Sequence, residues 1–101
     1  MAKQDWGLAP FTIHHPNGAI DDIIVKGRDR WALEALIAAG DAGCTPIETP
    51  GPRWSAYTFN LRALGVPIET VTEHHDGPFA GTHARYVLRA RVERGQSGES
   101  A

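Results

Sequence analysis

The apolar positions of this chain change period several times, and each change marks an element. Phe11 to His15 and Ile20 to Val25 are two short apolar-containing runs separated by Pro16-Asn17-Gly18-Ala19. Asn-Gly between such runs is a strong hairpin signal, because both residues tolerate positive φ. A hairpin is therefore predicted over 11–25, and residues 1–10, which carry no period, are expected to hang loose. The period then lengthens. Gly27 to Gly40 reads as a helix, with Asp29 as N-cap and Gly40 as the left-handed stop. Leu33, Leu36 and Ile37 fall on one face and Trp31, Ala35 and Ala38 on the opposite one, so both sides should be covered, with the hairpin lying over Trp31.

After a turn at Asp41-Ala42-Gly43, Cys44-Thr45 has room for a very short strand. Pro46 to Glu48 has room for one helical turn before Thr49-Pro50-Gly51-Pro52 interrupts the chain. Arg53 to Leu64 is a second amphipathic helix closed by Gly65. Trp54, Tyr57, Thr58, Leu61 and Leu64 should face inward, and Ser55, Ala56, Phe59, Arg62 and Ala63 outward. Period two returns in Val66 to His75 and His83 to Val92, on either side of the glycine-rich loop Asp76 to Thr82. Pairing His75 with His83 sets Glu73 opposite Arg85, Val71 opposite Val87 and Glu69 opposite Arg89. Val66, Ile68, Tyr86, Leu88, Ala90 and Val92 then form an apolar face for the helices. Residues 93–101 are polar, rich in glycine and serine, and are expected to be disordered.

The order of elements is helix, short strand, helical turn, helix and two-stranded ribbon. With the run Asn60-Leu61-Arg62-Ala63-Leu64-Gly65-Val66-Pro67-Ile68-Glu69-Thr70 and the later Ala84-Arg85-Tyr86-Val87-Leu88, this order resembles the winged helix-turn-helix family. In small bacterial and phage-type members a Leu-Arg-x-x-Gly-x-x-Ile-x-Thr pattern leads from the recognition helix into the wing. The resemblance covers roughly residues 28–92. It implies an α+β fold: a winged helix-turn-helix core over 28–92 with a C-terminal two-stranded wing, extended at its N-terminus by the 11–25 hairpin. It also implies duplex DNA as partner, a role in transcription regulation, and 53–64 as recognition helix. The sequence departs from the family pattern in a short, proline-containing segment ahead of that helix and in the weakly polar outer face of the helix itself.

Composition narrows the choice. At 101 residues with 42% apolar residues, the chain can build one domain with one modest core. It has no apolar run of membrane-spanning length, and Met1 to Trp6 does not read as a secretory signal. The lone Cys44 cannot form a disulfide within the chain and reads as a small buried hydrophobe, which fits a reducing cytoplasm. The net charge of −2 argues against nucleic-acid affinity carried by bulk charge, so clustering must supply it.

Under the family's docking mode, Arg53, Ser55, Asn60 and Arg62 are the candidate base readers, and Phe59 could touch a thymine methyl. His74, His75, Thr82 and His83 at the wing tip, together with Arg91 and Arg94, are the phosphate candidates. Arg85 and Arg89 have Glu73 and Glu69 as structural partners. The adjacent pairs His14-His15 and His74-His75 cannot easily chelate one ion, since strand neighbours point to opposite faces, so no metal or other cofactor is expected. The chain has no nucleophile motif, phosphate loop or dinucleotide fingerprint, and no enzymatic activity is expected. Two functions stay open. One is a DNA-binding regulator. The other is an interaction module that keeps this frame and grips a protein partner, or a second copy, through Trp31, Phe59 or Phe79.

Overall fold

The computed structural model describes residues 7–46, 53–75 and 81–95. Their elements run β1 (Ala9–His14), β2 (Ile20–Val25), α1 (Gly27–Ala39), a 3-10 turn (Gly40–Ala42), α2 (Trp54–Ala63), β3 (Ile68–His75), β4 (Gly81–Leu88) and β5 (Arg91–Arg94). The fold is mixed α+β, with two helices and two antiparallel sheets among the described residues. One sheet has the order β2-β1-β5 and the other is the pair β3-β4.

β1 and β2 turn on His15–Gly18. Gly18 N–H donates to His15 O, and His15 N–H donates to Ala19 O, both at 2.9 Å. Pro16 has its φ preset for the turn, and Gly18 takes φ +95°, which a side chain would resist. Ala9, Phe11 and Ile13 alternate inward from β1 and are buried with Val25 of β2, Val92 of β5 and Ala32, Leu33 and Leu36 of α1. Ala9 and Pro10 belong to β1, so order begins earlier than expected, because Ala9 pairs with Val25 and sits in the core.

α1 starts one residue after Lys26, which occupies the N-cap position without a side-chain cap. Asp29, expected as the cap, lies in the first helical turn, where a carboxylate still favours the positive end of the helix dipole. Gly40 stops the helix at φ +59°. Trp31 packs on α2. Its ring centroid lies 5.5 Å from Trp54 and 6.1 Å from Tyr57. Trp54 in turn stacks on Tyr86 of β4 at 5.8 Å. This aromatic group locks α1, α2 and β4 together.

Beyond the 3-10 turn, Cys44 exchanges both backbone hydrogen bonds with Tyr86, at 2.9 and 2.8 Å, and forms a single bridge in place of a strand. Thr45 and Cys44 are buried. The helical turn expected from Pro46 to Glu48 falls largely outside the described residues, as do Thr49–Pro52.

The second antiparallel pair departs from the expected register by two residues. Ile68 pairs with Leu88, Glu73 with His83 and His75 with Gly81. A shift of two preserves which face each residue occupies. Glu73 still reaches Arg85 at 2.6 Å and Glu69 still reaches Arg89 at 2.6 Å, as diagonal neighbours rather than direct ones. Val87 was expected on the solvent side with these charges. It is buried beneath the Gly40–Gly43 segment, where its Cγ2 lies 2.9 Å from the place a Cβ on Gly43 would take.

The strand expected over 83–92 is two strands. Arg89 N–H donates to Pro67 O, but Pro67 has no N–H to return, and Gly65 N–H, the next donor in phase, is already given to Arg62 O. The ladder therefore runs out of donors, and the chain leaves at Arg89-Ala90 to lay β5 against β1. There Val92 pairs with Ile13 and is buried. Glu93 and Arg94, assigned from sequence to the tail, belong to β5. Leu64, expected inward, is 41% exposed, because α2 ends before it and Val66 occupies the core beside Leu61.

Candidate nucleic-acid interface

α2 has one face committed to the core and one face open. Trp54, Tyr57, Thr58 and Leu61 are buried, with the Thr58 hydroxyl donating back to Ser55 O at 3.1 Å. Arg53, Ser55, Phe59, Asn60, Arg62 and Ala63 are exposed, and Phe59 is 72% so. The structure thus brings the candidate base readers onto one helix surface, but they differ in freedom. Arg53 forms no ion pair or side-chain hydrogen bond among the described residues. The Asn60 amide donates to Asp29 Oδ1 at 3.2 Å, tying α2 to the first turn of α1. The Arg62 guanidinium reaches across to β3. Its Nε and one terminal nitrogen donate to Ile68 O at 3.1 and 2.8 Å, and the same terminal nitrogen donates to Thr70 Oγ1 at 2.7 Å. Three bonds from one arginine fix the angle at which β3 leaves the helix.

The β3-β4 ribbon rises from that junction. Its base is buried at Ile68, Tyr86 and Val87, while His74, Gly81 and Thr82 are exposed. His83 is half-buried and lies 3.1 Å from Glu73, which also accepts from Arg85. The Arg85 hydrogen bond holds the Glu73 carboxyl below the usual carboxylate range against the desolvation that raises it, and the positive charge of Arg85 and the contacts of His83 add to the lowering. The tip residues 76–80, with Phe79, and the side chain of His75 lie outside the described residues.

Arg91 and Arg94 are on β5 in the three-stranded sheet, not on the ribbon. Arg91 meets Glu93 at 3.3 Å, and Arg94 lies over the Phe11 ring at 5.7 Å. Two cations that sequence reasoning passed over lie at the start of α1. Lys26 and Arg28 flank the start of α1, are exposed, and form no ion pair among the described residues. The Asn60–Asp29 bond links that turn to α2, and no sequence period signals it.

The remaining histidines serve the first sheet. His14 lies 2.8 Å from Glu93, linking β1 to β5, and His15 lies 2.8 Å from Asp21. Among the described residues no three histidine, cysteine, aspartate or glutamate side chains gather as a metal site would require, and no helix is long and apolar enough to cross a membrane.

A search of curated proteins and a search of solved structures each return no match. A family model described as a winged helix domain matches residues 22–98, from within β2 to beyond β5. With two helices packed on each other, an antiparallel ribbon leaving the second helix and that match over most of its length, the chain belongs to the winged helix domain family, a membership that points in general to DNA binding.

Proposed function

We propose that this protein is a small, non-catalytic, cytoplasmic DNA-binding regulator of bacterial or phage type, which lays α2 in the major groove and the β3-β4 ribbon, as its wing, along the backbone. The observation that carries this reading is the open face of α2 in a winged helix frame. Arg53 and Ser55 are exposed at its N-terminal end, with no side-chain partner among the described residues, and that end is the one family docking turns toward the bases. Arg53 reads a guanine edge, Ser55 adds a hydrogen bond, and Phe59 meets a thymine methyl. Asn60 and Arg62, engaged within the protein, set the pitch of the helix and the angle of the wing. His74, His75, Thr82 and His83 contact phosphates from the wing, and Arg91 and Arg94 contact more distant ones.

The test is fluorescence anisotropy of a random duplex titrated against salt. Affinity should fall as salt rises, with a slope of about three to five phosphate contacts, because each neutralised phosphate releases counterions. Arg53→Ala should lose roughly 1–3 kcal/mol on a preferred site and relax preference there. Absence of salt-sensitive binding to any duplex at low ionic strength would refute the proposal. A second reading, a protein-interaction module, is favoured by one observation, the 72% exposure of Phe59 in the middle of α2. Under that reading Phe59→Ala abolishes capture of the partner and leaves any DNA binding intact.

A further inference from the structure

We infer that β2 is the dimer edge of this protein, joining a second copy antiparallel to itself into one continuous six-stranded sheet. The sheet order β2-β1-β5 leaves β2 at an edge, with no strand beyond it among the described residues. The direction of its backbone groups follows from the turn. His15 N–H donates to Ala19 O, so Ile13/Asp21, Phe11/Ile23 and Ala9/Val25 are the pairs that exchange hydrogen bonds. Gly95 N–H donates to Pro10 O on the other side of β1, in phase with this. The N–H and C=O groups of Ile20, Asp22 and Ile24 therefore point away from β1, at the open edge, in the arrangement that templates another strand.

The outer face of that edge carries two exposed isoleucines on either side of one carboxylate, Asp22, which accepts from Thr12 Oγ1 at 2.8 Å and remains exposed. Ile20 is 60% exposed and Ile24 56%, and Leu8, beside the end of β2, is 69% exposed. The devices that normally blunt an edge are weak here: β2 holds no proline, lysine or arginine, and Asp21 is engaged by His15. The occupant is a second copy because the edge is complementary to itself in one register. A two-fold axis through Ile24 sets Ile24 against its own copy and Asp22 opposite Lys26 of the other chain, twice. Lys26 is extended, exposed and free of ion pairs among the described residues, and so is available for this. The neighbouring registers are worse. An axis at Asp22 opposes two carboxylates, and an axis at Ile23 sets each Asp22 against an isoleucine. The family match begins at residue 22, so β1 and the start of β2, which build this edge, lie ahead of the matched region.

Sedimentation velocity over a concentration series, without DNA, tests the inference independently of DNA binding. The protein should pass from one-chain to two-chain mass as concentration rises. Ile24→Lys should hold it at one-chain mass. Lys26→Asp, which breaks no bond within the chain, should do the same by facing carboxylates across the axis. Asp22→Lys combined with Lys26→Asp should restore the dimer, with circular dichroism showing that each variant is folded. One-chain mass at the highest soluble concentration overturns the inference. So does a dimer that survives both single substitutions, or one that is lost on Phe59→Ala.

Discussion

The two antiparallel sheets of this domain are held in opposite ways. The three-stranded sheet is anchored along its length: Ala9, Phe11 and Ile13 of its central strand are all buried, and α1 covers that face. The β3-β4 ribbon is anchored at one end. Ile68, Tyr86 and Val87 are in the core, Cys44 and Arg62 grip the base, and exposure rises toward Gly81 and Thr82. A strand buried along one face can open only when the domain opens, whereas the exposed His74 and Thr82 of a ribbon held at its base have no core contact to lose and can open while the domain stays folded. A scaffold of the first kind carrying a limb of the second kind suits a protein that must fit one element against a partner's irregular surface.

The contrast can be broken most strongly from the sheet side. Ile13→Ala should cost about 2–5 kcal/mol, because Ile13 is fully buried between β2 and β5. Chemical denaturation should show that loss as a global one, with the ribbon amides losing protection together with those of β1. Gly43→Ala is the complementary experiment. Gly43 sits at φ +71°, and a Cβ there would lie 2.6 Å from Tyr86 O and 2.9 Å from Val87 Cγ2. The Cys44–Tyr86 bridge should open at a cost on the order of 1–3 kcal/mol. Hydrogen exchange should then rise in β4 before it rises in β1, and a uniform rise in both would show that the ribbon base is no separate unit.

Arg62→Ala should cost about 1–2 kcal/mol through its lost bonds to Ile68 O and Thr70. Amide shifts should concentrate at the α2–β3 junction, and affinity for all duplexes should fall alike, since the wing angle changes and no base contact is lost. Glu73 gives a smaller, pH-dependent effect. Its carboxyl is held below the ordinary range, so its contribution to stability is complete above the unfolded-state pKa and is lost as pH falls through the lower folded value. In acid titrations Glu73→Gln should flatten this part of the curve and leave the neutral-pH fold intact. Phe59→Ala should change stability least, within about 0.5 kcal/mol in a thermal melt, because the ring contributes nothing to the core.

Much of this architecture follows from the chain alone. Period and punctuation locate both helices and the alternating runs: Gly40 and Gly65 stand where the chain needs positive φ, and Pro16-Asn17-Gly18 stands where β1 must reverse. The Leu61 to Thr70 pattern marks the family, because it records how a helix end packs on the strand that follows it. These are local properties, fixed by neighbours a few residues apart. Tertiary structure decided what local sequence leaves degenerate. Period two specifies faces but tolerates a register shift of two, so the β3-β4 pairing was set by the base contacts, while the Glu–Arg pairs could be satisfied in either register. The same alternation runs unbroken through Leu88 and Val92, yet β5 departs because Pro67 and Gly65 offer the ladder no donor and β1 offers an unpaired edge. Which outward side chains of α2 stay free was settled in the same way. Arg53, Asn60 and Arg62 look alike along the helix, and only the approach of Asp29 from α1 and the turn that brings Ile68 back to Arg62 separate the one with no partner among the described residues from the two that are held.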